Sequence, residues 1–258
     1  MNIDVKRLIN ILREAGDIVL DIYNGDFSVE YKEDHSPVTI ADKKSNRFIT
    51  DALGDLYPDI PVLAEEARAL PYSIRKTWEY LWVLDPLDGT KEFIKKNGEF
   101  TINLALVYRG SPVFGIIYAP VIDTVYYGEK GSGAYKLEGD KLSRLSGEST
   151  KKGFSVIISR SHYTEETREY VRKLEERYKE VEKVNIGSAL KLCLIAEGKA
   201  DLYPRLAPTM EWDVAAGHAI ISATGGDVVE YISGRPLIYN KENLVNPWFI
   251  AKRRGVTL

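Results

Sequence analysis

Apolar residues at positions 5, 8, 12, 15, 19 and 22 recur every three or four places, with Arg7, Asn10, Arg13 and Asp17 between them. That period predicts a surface helix. A second helix is expected from about Ile40 to Leu56, burying Phe48, Ile49, Ala52, Leu53 and Leu56. Thr39 is placed to cap it, and Pro58 lies just past its end. The pattern then becomes strand-like. Residues 60–64 form a short apolar stretch and residues 80–84 a buried strand. The apolar runs 100–108 and 112–119, separated by Arg109-Gly110-Ser111, predict a hairpin. Shorter strands are expected at 123–128 and 134–137, with Gly131-Ser132-Gly133 as the turn between them. The first part therefore reads as two helices followed by an antiparallel sheet.

Residues 146–153 are polar and mark a junction, dividing the chain into 1–147 and 148–258. Beyond it strands and helices alternate: strand 154–158, helix 165–178, strand 183–186, helix 188–197, strand 200–203, helix 212–224 and strand 227–230. Alternation of this kind predicts a layered α/β half. Gly198 and Gly225-Gly226 fall where helices should stop.

Composition narrows the function. The 258 residues are 44% hydrophobic and 28% charged, enough to bury a real core, and the formal net charge is −3. An acidic balance argues against nucleic-acid binding. The apolar runs are too short for a membrane span, and the charged N-terminal pattern has no signal-peptide core. A single cysteine, Cys193, excludes an internal disulfide, suits a reducing cytoplasm, and sits in an apolar run that assigns it to packing. His35, His162 and His218 lack zinc-ligand spacing, so any metal would be held by oxygen.

The informative stretch is Trp82-Val83-Leu84-Asp85-Pro86-Leu87-Asp88-Gly89-Thr90. A buried strand ends at Asp85, proline forces a turn, and a helix should begin near Thr90. Such a turn can aim Asp85, Asp88 and the Leu87 carbonyl at one point, a set of hard oxygens suited to magnesium. The N–H groups of Gly89 and Thr90 would face the same point, where an anion such as phosphate is favoured. An Asp-capped helix accounts for Asp88 but leaves Asp85 unexplained. Glu65-Glu66, Asp42 and Glu211-Trp212-Asp213 each have an ordinary reading: a solvated pair, a capping box with Thr39, and charge at a helix start. Together they place carboxylates at four element ends that could meet. Clustered anions raise one another's pKa unless cations bind.

Asp85-Pro-Leu-Asp-Gly-Thr90, with Glu65 upstream and Trp212-Asp213-Val-Ala-Ala-Gly217 downstream, resembles the inositol monophosphatase superfamily of magnesium-dependent, lithium-sensitive phosphatases. Lys91-Glu92-Phe93, Ser159-Arg-Ser-His162, Gly187-Ser-Ala-Leu-Lys191, Ala200-Asp-Leu-Tyr-Pro-Arg205 and Pro208-Thr-Met-Glu-Trp-Asp213 look most like its 3′(2′),5′-bisphosphate nucleotidase branch.

The resemblance implies a layered αβαβα sandwich of the sugar-phosphatase type, with the active site between the halves. It implies two to three magnesium ions. One is assigned to Glu65, Asp85 and the Leu87 carbonyl, a second to Asp85, Asp88 and Asp213, and a third, looser one lies near Glu65. Asp42 and Thr90 match the pair that orients or deprotonates the attacking water, with Glu65 counted among the catalytic residues. Gly89 and Thr90 match the phosphate cradle, and Leu87, Asp88 and Asp213 are counted with them among the substrate contacts. Lys191 and Arg205 would take a second phosphate, with Ser159, Arg160, Ser161, Gly187 and Ser188 as neighbouring contacts. The implied substrate is a small phosphate ester, 3′-phosphoadenosine 5′-phosphate first. Inositol monophosphate, fructose 1,6-bisphosphate and the 2′-phosphate of NADP are alternatives, and a non-catalytic nucleotide sensor is the reading from another class. The chain is expected to act as a monomer or homodimer.

Overall fold

The computed structural model describes residues 3–32, 37–159 and 164–257. Helix α1 (Val5–Asn24) leads to a hairpin of β1 (Val29–Tyr31) and β2 (Pro37–Thr39), then α2 (Ile40–Leu56). Strand β3 (Val62–Ala64), the one-turn α3 (Tyr72–Arg75), β4 (Tyr80–Asp88) and the short α4 (Thr90–Ile94) follow. A meander completes the first part: β5 (Thr101–Tyr108), β6 (Ser111–Ala119), β7 (Thr124–Glu129), β8 (Gly133–Glu138) and β9 (Lys141–Leu145). The second part runs β10 (Phe154–Ile158), α5 (Glu165–Tyr178), β11 (Val181–Asn185), α6 (Leu190–Ala196), β12 (Leu202–Arg205), α7 (Glu211–Ala223), β13 (Asp227–Glu230) and β14 (Phe249–Lys252).

Strands β3 to β9 form one seven-stranded sheet in chain order, antiparallel except where β3 runs parallel to β4. A five-stranded mixed sheet has the order β11-β10-β12-β14-β13. Side-chain alternation along the strands defines the layers. Trp82 and Leu84 of β4 join α1 and α2 residues such as Leu8, Leu12 and Ile49 in one core. Leu81 and Val83 turn the other way, to Leu192 of α6 and Val214 of α7. Tyr203 and Phe249 of the second sheet face that same middle core, whereas Leu202 and Ile250 meet Val171 and Leu174 of α5. The order is thus α1/α2, seven-stranded sheet, α6/α7, five-stranded sheet, α5, the αβαβα sandwich expected.

The middle layer is packed closely. A Cβ on Gly115 of β6 would lie 2.2 Å from the Ala216 carbonyl oxygen of α7, and one on Gly128 of β7 would lie 2.9 Å from the Ile220 Cα. These glycines let α7 rest directly on the first sheet, which sets the height of Asp213 above it.

Candidate active site

Asp85 and Asp88 stand three positions apart on β4, a spacing that a regular strand would send to opposite faces. Pairing with β5 breaks register between them: Asp85 lies opposite Asn103, and Asp88 opposite Thr101. Three steps on one strand are matched by two on its neighbour, a bulge that returns both carboxylates to one face. Pro86, with no N–H for the ladder, sits within it. Ser45 of α2 donates to the Pro86 carbonyl at 2.8 Å, fixing the bulge from the helical layer. Asp85 Oδ1 accepts from the Leu87 N–H at 3.1 Å. The chain leaves through Gly89 at φ +95°, left-handed backbone that favours glycine.

Other elements bring their groups to this turn. Asp42, in the first turn of α2, closes the capping box: its Oδ2 accepts from Thr39 N–H at 2.8 Å and Thr39 Oγ1 at 2.7 Å. Its Oδ1 accepts from Thr90 Oγ1 at 3.2 Å, so the cap also touches the turn. Glu65 follows β3, where its N–H donates to the Leu84 carbonyl at 3.1 Å. Asp213 lies in the first turn of α7, accepting from Met210 N–H at 2.9 Å. A cleft of about 240 Å³ is lined by Glu65, Asp85, Leu87, Asp88, Gly89, Thr90 and Asp213 together with Ser159, Gly187, Ser188, Lys191 and Arg205. Of the residues expected at the site, only Ser161, with its neighbour Arg160, lies outside the described residues.

Both signs of charge line this cleft. Burial, and then the charges of Glu65, Asp88 and Asp213, hold the Asp85 carboxyl well above the usual carboxylate range. Burial and Asp88 push Asp213 up to about 8. Asp88 and Glu65 are raised by burial as well, opposed by Lys191 and Lys32 respectively. Asp42 is raised by burial and steadied by Thr39. Among the cations of the cleft, burial lowers the Lys191 ammonium while Asp88 supports it. Arg205 is 8% exposed and donates to the Pro208 carbonyl at 3.1 Å, yet its buried Nε has no hydrogen-bond partner among the described residues.

Among the described residues no three acidic, histidine or cysteine side chains converge tightly enough to cage a cation as they stand. The carboxylates are turned to separate partners. Lys32 Nζ bonds Glu65 at 2.8 Å and also Glu66, while Asn103 Nδ2 donates to Asp88 at 3.3 Å. The donor set nonetheless suits a hard divalent ion: carboxylate oxygens and a carbonyl, with no imidazole or thiolate. Mutual repulsion among buried anions is the condition that such an ion relieves.

Sequence reasoning missed Asn103, Lys32, Ser45 and Glu99. Asn103 carried a usable signal, since a lone amide in the apolar run Ile102-Asn103-Leu104 needs a buried partner. Lys32 and Glu99 gave none, being charged residues in polar segments.

This fold and motif place the molecule among known phosphatases: the chain belongs to the inositol monophosphatase family, whose pattern matches residues 4–254. Two relatives are 3′(2′),5′-bisphosphate nucleotidases named CysQ. That of Salmonella typhimurium is 44% identical over 248 residues, 95% of this chain and 98% of the relative. That of Escherichia coli K12 is 44% identical over 242 residues, covering 93% and 95%. The crystal structure of CysQ from Bacteroides thetaiotaomicron superposes with a TM-score of 0.88 at 43% identity, over 97% of both chains.

Proposed function

We propose that this chain is a magnesium-dependent phosphatase that removes the 3′-phosphate of 3′-phosphoadenosine 5′-phosphate, giving AMP and inorganic phosphate. The observation that carries the reading is one cleft lined by both anions and cations. Glu65, Asp85, Asp88, Glu92 and Asp213 line it together with Lys91, Lys191 and Arg205. A substrate bearing two phosphates needs both: metals at the ester being cut, and fixed cations at the phosphate that stays. Arg205 Nε, unpartnered among the described residues, supports this use of the cations. The names of the two CysQ relatives agree with it.

Glu65, Asp85, the Leu87 carbonyl, Asp88 and Asp213 would hold the magnesium, as two or three ions. When bound, it supplies Lewis acidity toward the phosphoryl oxygens and acidifies water. The chain's own residues do the rest. Thr90 Oγ1 donates its hydrogen to Asp42 at 3.2 Å, which leaves its lone pairs for the O–H of an attacking water. The water proton passes to Thr90 as the Thr90 hydrogen moves to Asp42. Backbone N–H groups of Gly89 and Thr90 orient the phosphate; as the water oxygen bonds to phosphorus, the bond to the 3′-oxygen breaks and that oxygen takes a proton from solvent. No side chain bonds to phosphorus, consistent with Cys193 being buried in α6.

The test compares kcat/KM for 3′-phosphoadenosine 5′-phosphate, inositol 1-phosphate, fructose 1,6-bisphosphate and NADP, in magnesium and then with lithium added. The bisphosphate nucleotide should lead, and lithium should inhibit. Arg205→Ala should raise KM for the bisphosphate by about tenfold, as expected for a lost charged hydrogen bond, with little change for a simple monophosphate. Equal loss on both substrates counts against the assignment.

A further inference from the structure

Resting on the reading above, and on Gly187 and Ser188 as its substrate contacts, we propose that Glu99 is a positioning residue. It fixes that loop of the second half against the phosphate turn of the first. Glu99 lies between α4 and β5, and its Oε2 accepts from the Gly187 N–H at 2.8 Å, across 88 positions of sequence. The two backbones touch: a Cβ on Gly187 would lie 2.8 Å from the Glu99 carbonyl oxygen and 2.8 Å from Glu92 Cγ. The same carbonyl underlies the turn, since a Cβ on Gly89 would lie 3.1 Å from it. One residue therefore supports the turn with its main chain and the loop with both its main chain and its carboxylate.

The loop needs this support. Ser188 holds φ +48°, left-handed backbone that a non-glycine residue adopts only when its surroundings impose it. On its far side the loop is anchored by α6, where Lys191 N–H donates to the Ser188 carbonyl at 3.4 Å and Cys193 N–H to the Ala189 carbonyl at 3.2 Å. On its near side the Gly187 N–H bonds Glu99. This tie joins the loop to a residue outside the carboxylate cluster. Because it uses the Gly187 N–H, Gly187 serves the site through where its backbone lies. Ser188 and Lys191 then follow from that placement. A loop cut free at Gly187 keeps its chemistry and loses its alignment, which a two-phosphate substrate feels as weaker binding.

The experiment uses Glu99→Ala and Glu99→Gln in the full chain with magnesium. Steady-state kinetics on 3′-phosphoadenosine 5′-phosphate are read beside hydrogen exchange at the Gly187 amide. The alanine variant should raise KM by about tenfold with kcat within about twofold, the size of one charge-assisted hydrogen bond, and should speed Gly187 exchange. The glutamine variant keeps an acceptor oxygen and should return KM to within about threefold of the native value. An unchanged KM in the alanine variant, a loss confined to kcat, or no rescue by glutamine overturns the proposal. If the native protein does not turn over this substrate, the functional reading fails. Gly187 exchange then decides the clamp alone, and unchanged exchange in the alanine variant refutes it.

Discussion

A carboxylate buried beside three others stays in the folded chain against its preference for water. Asp85 is 1% exposed, and neutralising it should relieve the whole group. Asp85→Asn keeps an oxygen for the Leu87 N–H, so the bulge has no reason to change. Urea unfolding without divalent ions should show the variant more stable by about 1–2 kcal/mol, while turnover falls by roughly a thousandfold, the stability–function trade-off expected of a ligand residue. A less stable variant would mean that repulsion is not what the cluster stores. His218 makes the opposite case. It is buried in α7, within bonding distance of Tyr239 Oη at 2.9 Å, and burial lowers its pKa to about 4. Between about 6.5 and 4 the unfolded chain takes up a proton that the folded chain refuses, so stability falls as pH drops through that window. His218→Gln should remove about 3 kcal/mol of that loss, read as the difference between native and variant unfolding curves.

At the scale of elements, α7 carries the most consequence because it touches both sheets and bears Asp213. Gly115→Ala would drive a methyl group into the Ala216 carbonyl oxygen, main chain against main chain. It should cost about 3 kcal/mol or more in urea unfolding. Gly54→Ala, on the exposed side of α2 with nothing within 4 Å of the new Cβ, should instead stabilise by about 1 kcal/mol. If both changes behave alike, close approach is not what fixes the Gly115 position. Most elements were legible where local physics decided them. Helix α2 begins at Ile40 with Thr39 as its cap, as its sequence predicts. The β5–β6 hairpin turns through Arg109 and Gly110, both at positive φ. Strand β9 was not legible because it is a mostly exposed edge strand without alternating apolar residues. Strand β14 was missed for a different reason. It inserts antiparallel between β12 and β13, and no local pattern near the C-terminus announces a partner so far back in the chain.

The site is a property of the whole molecule. The sequence singled out Asp85, Asp88, Glu65, Asp42 and Asp213 because each reads as the end of an element, although in the fold β4 does not end at Asp85 but runs on to Asp88. The bulge that aligns the first two depends on β5, and the height of Asp213 depends on glycines in β6 and β7. Those are relations between strands, which no window of sequence contains. Lys32 and Glu99 were invisible for the same reason, since each matters through a residue more than thirty positions away. What the assembled molecule adds is acidic and basic side chains lining one cleft, and that combination leads to the central claim. Phosphate release from 3′-phosphoadenosine 5′-phosphate, followed while magnesium is titrated into metal-stripped protein, tests it most directly. Release should begin at zero, rise to saturation with AMP as the sole nucleotide product, and need about tenfold more magnesium in Asp213→Asn. Hydrolysis that persists in chelator, or adenosine 3′-phosphate as the product, would contradict it.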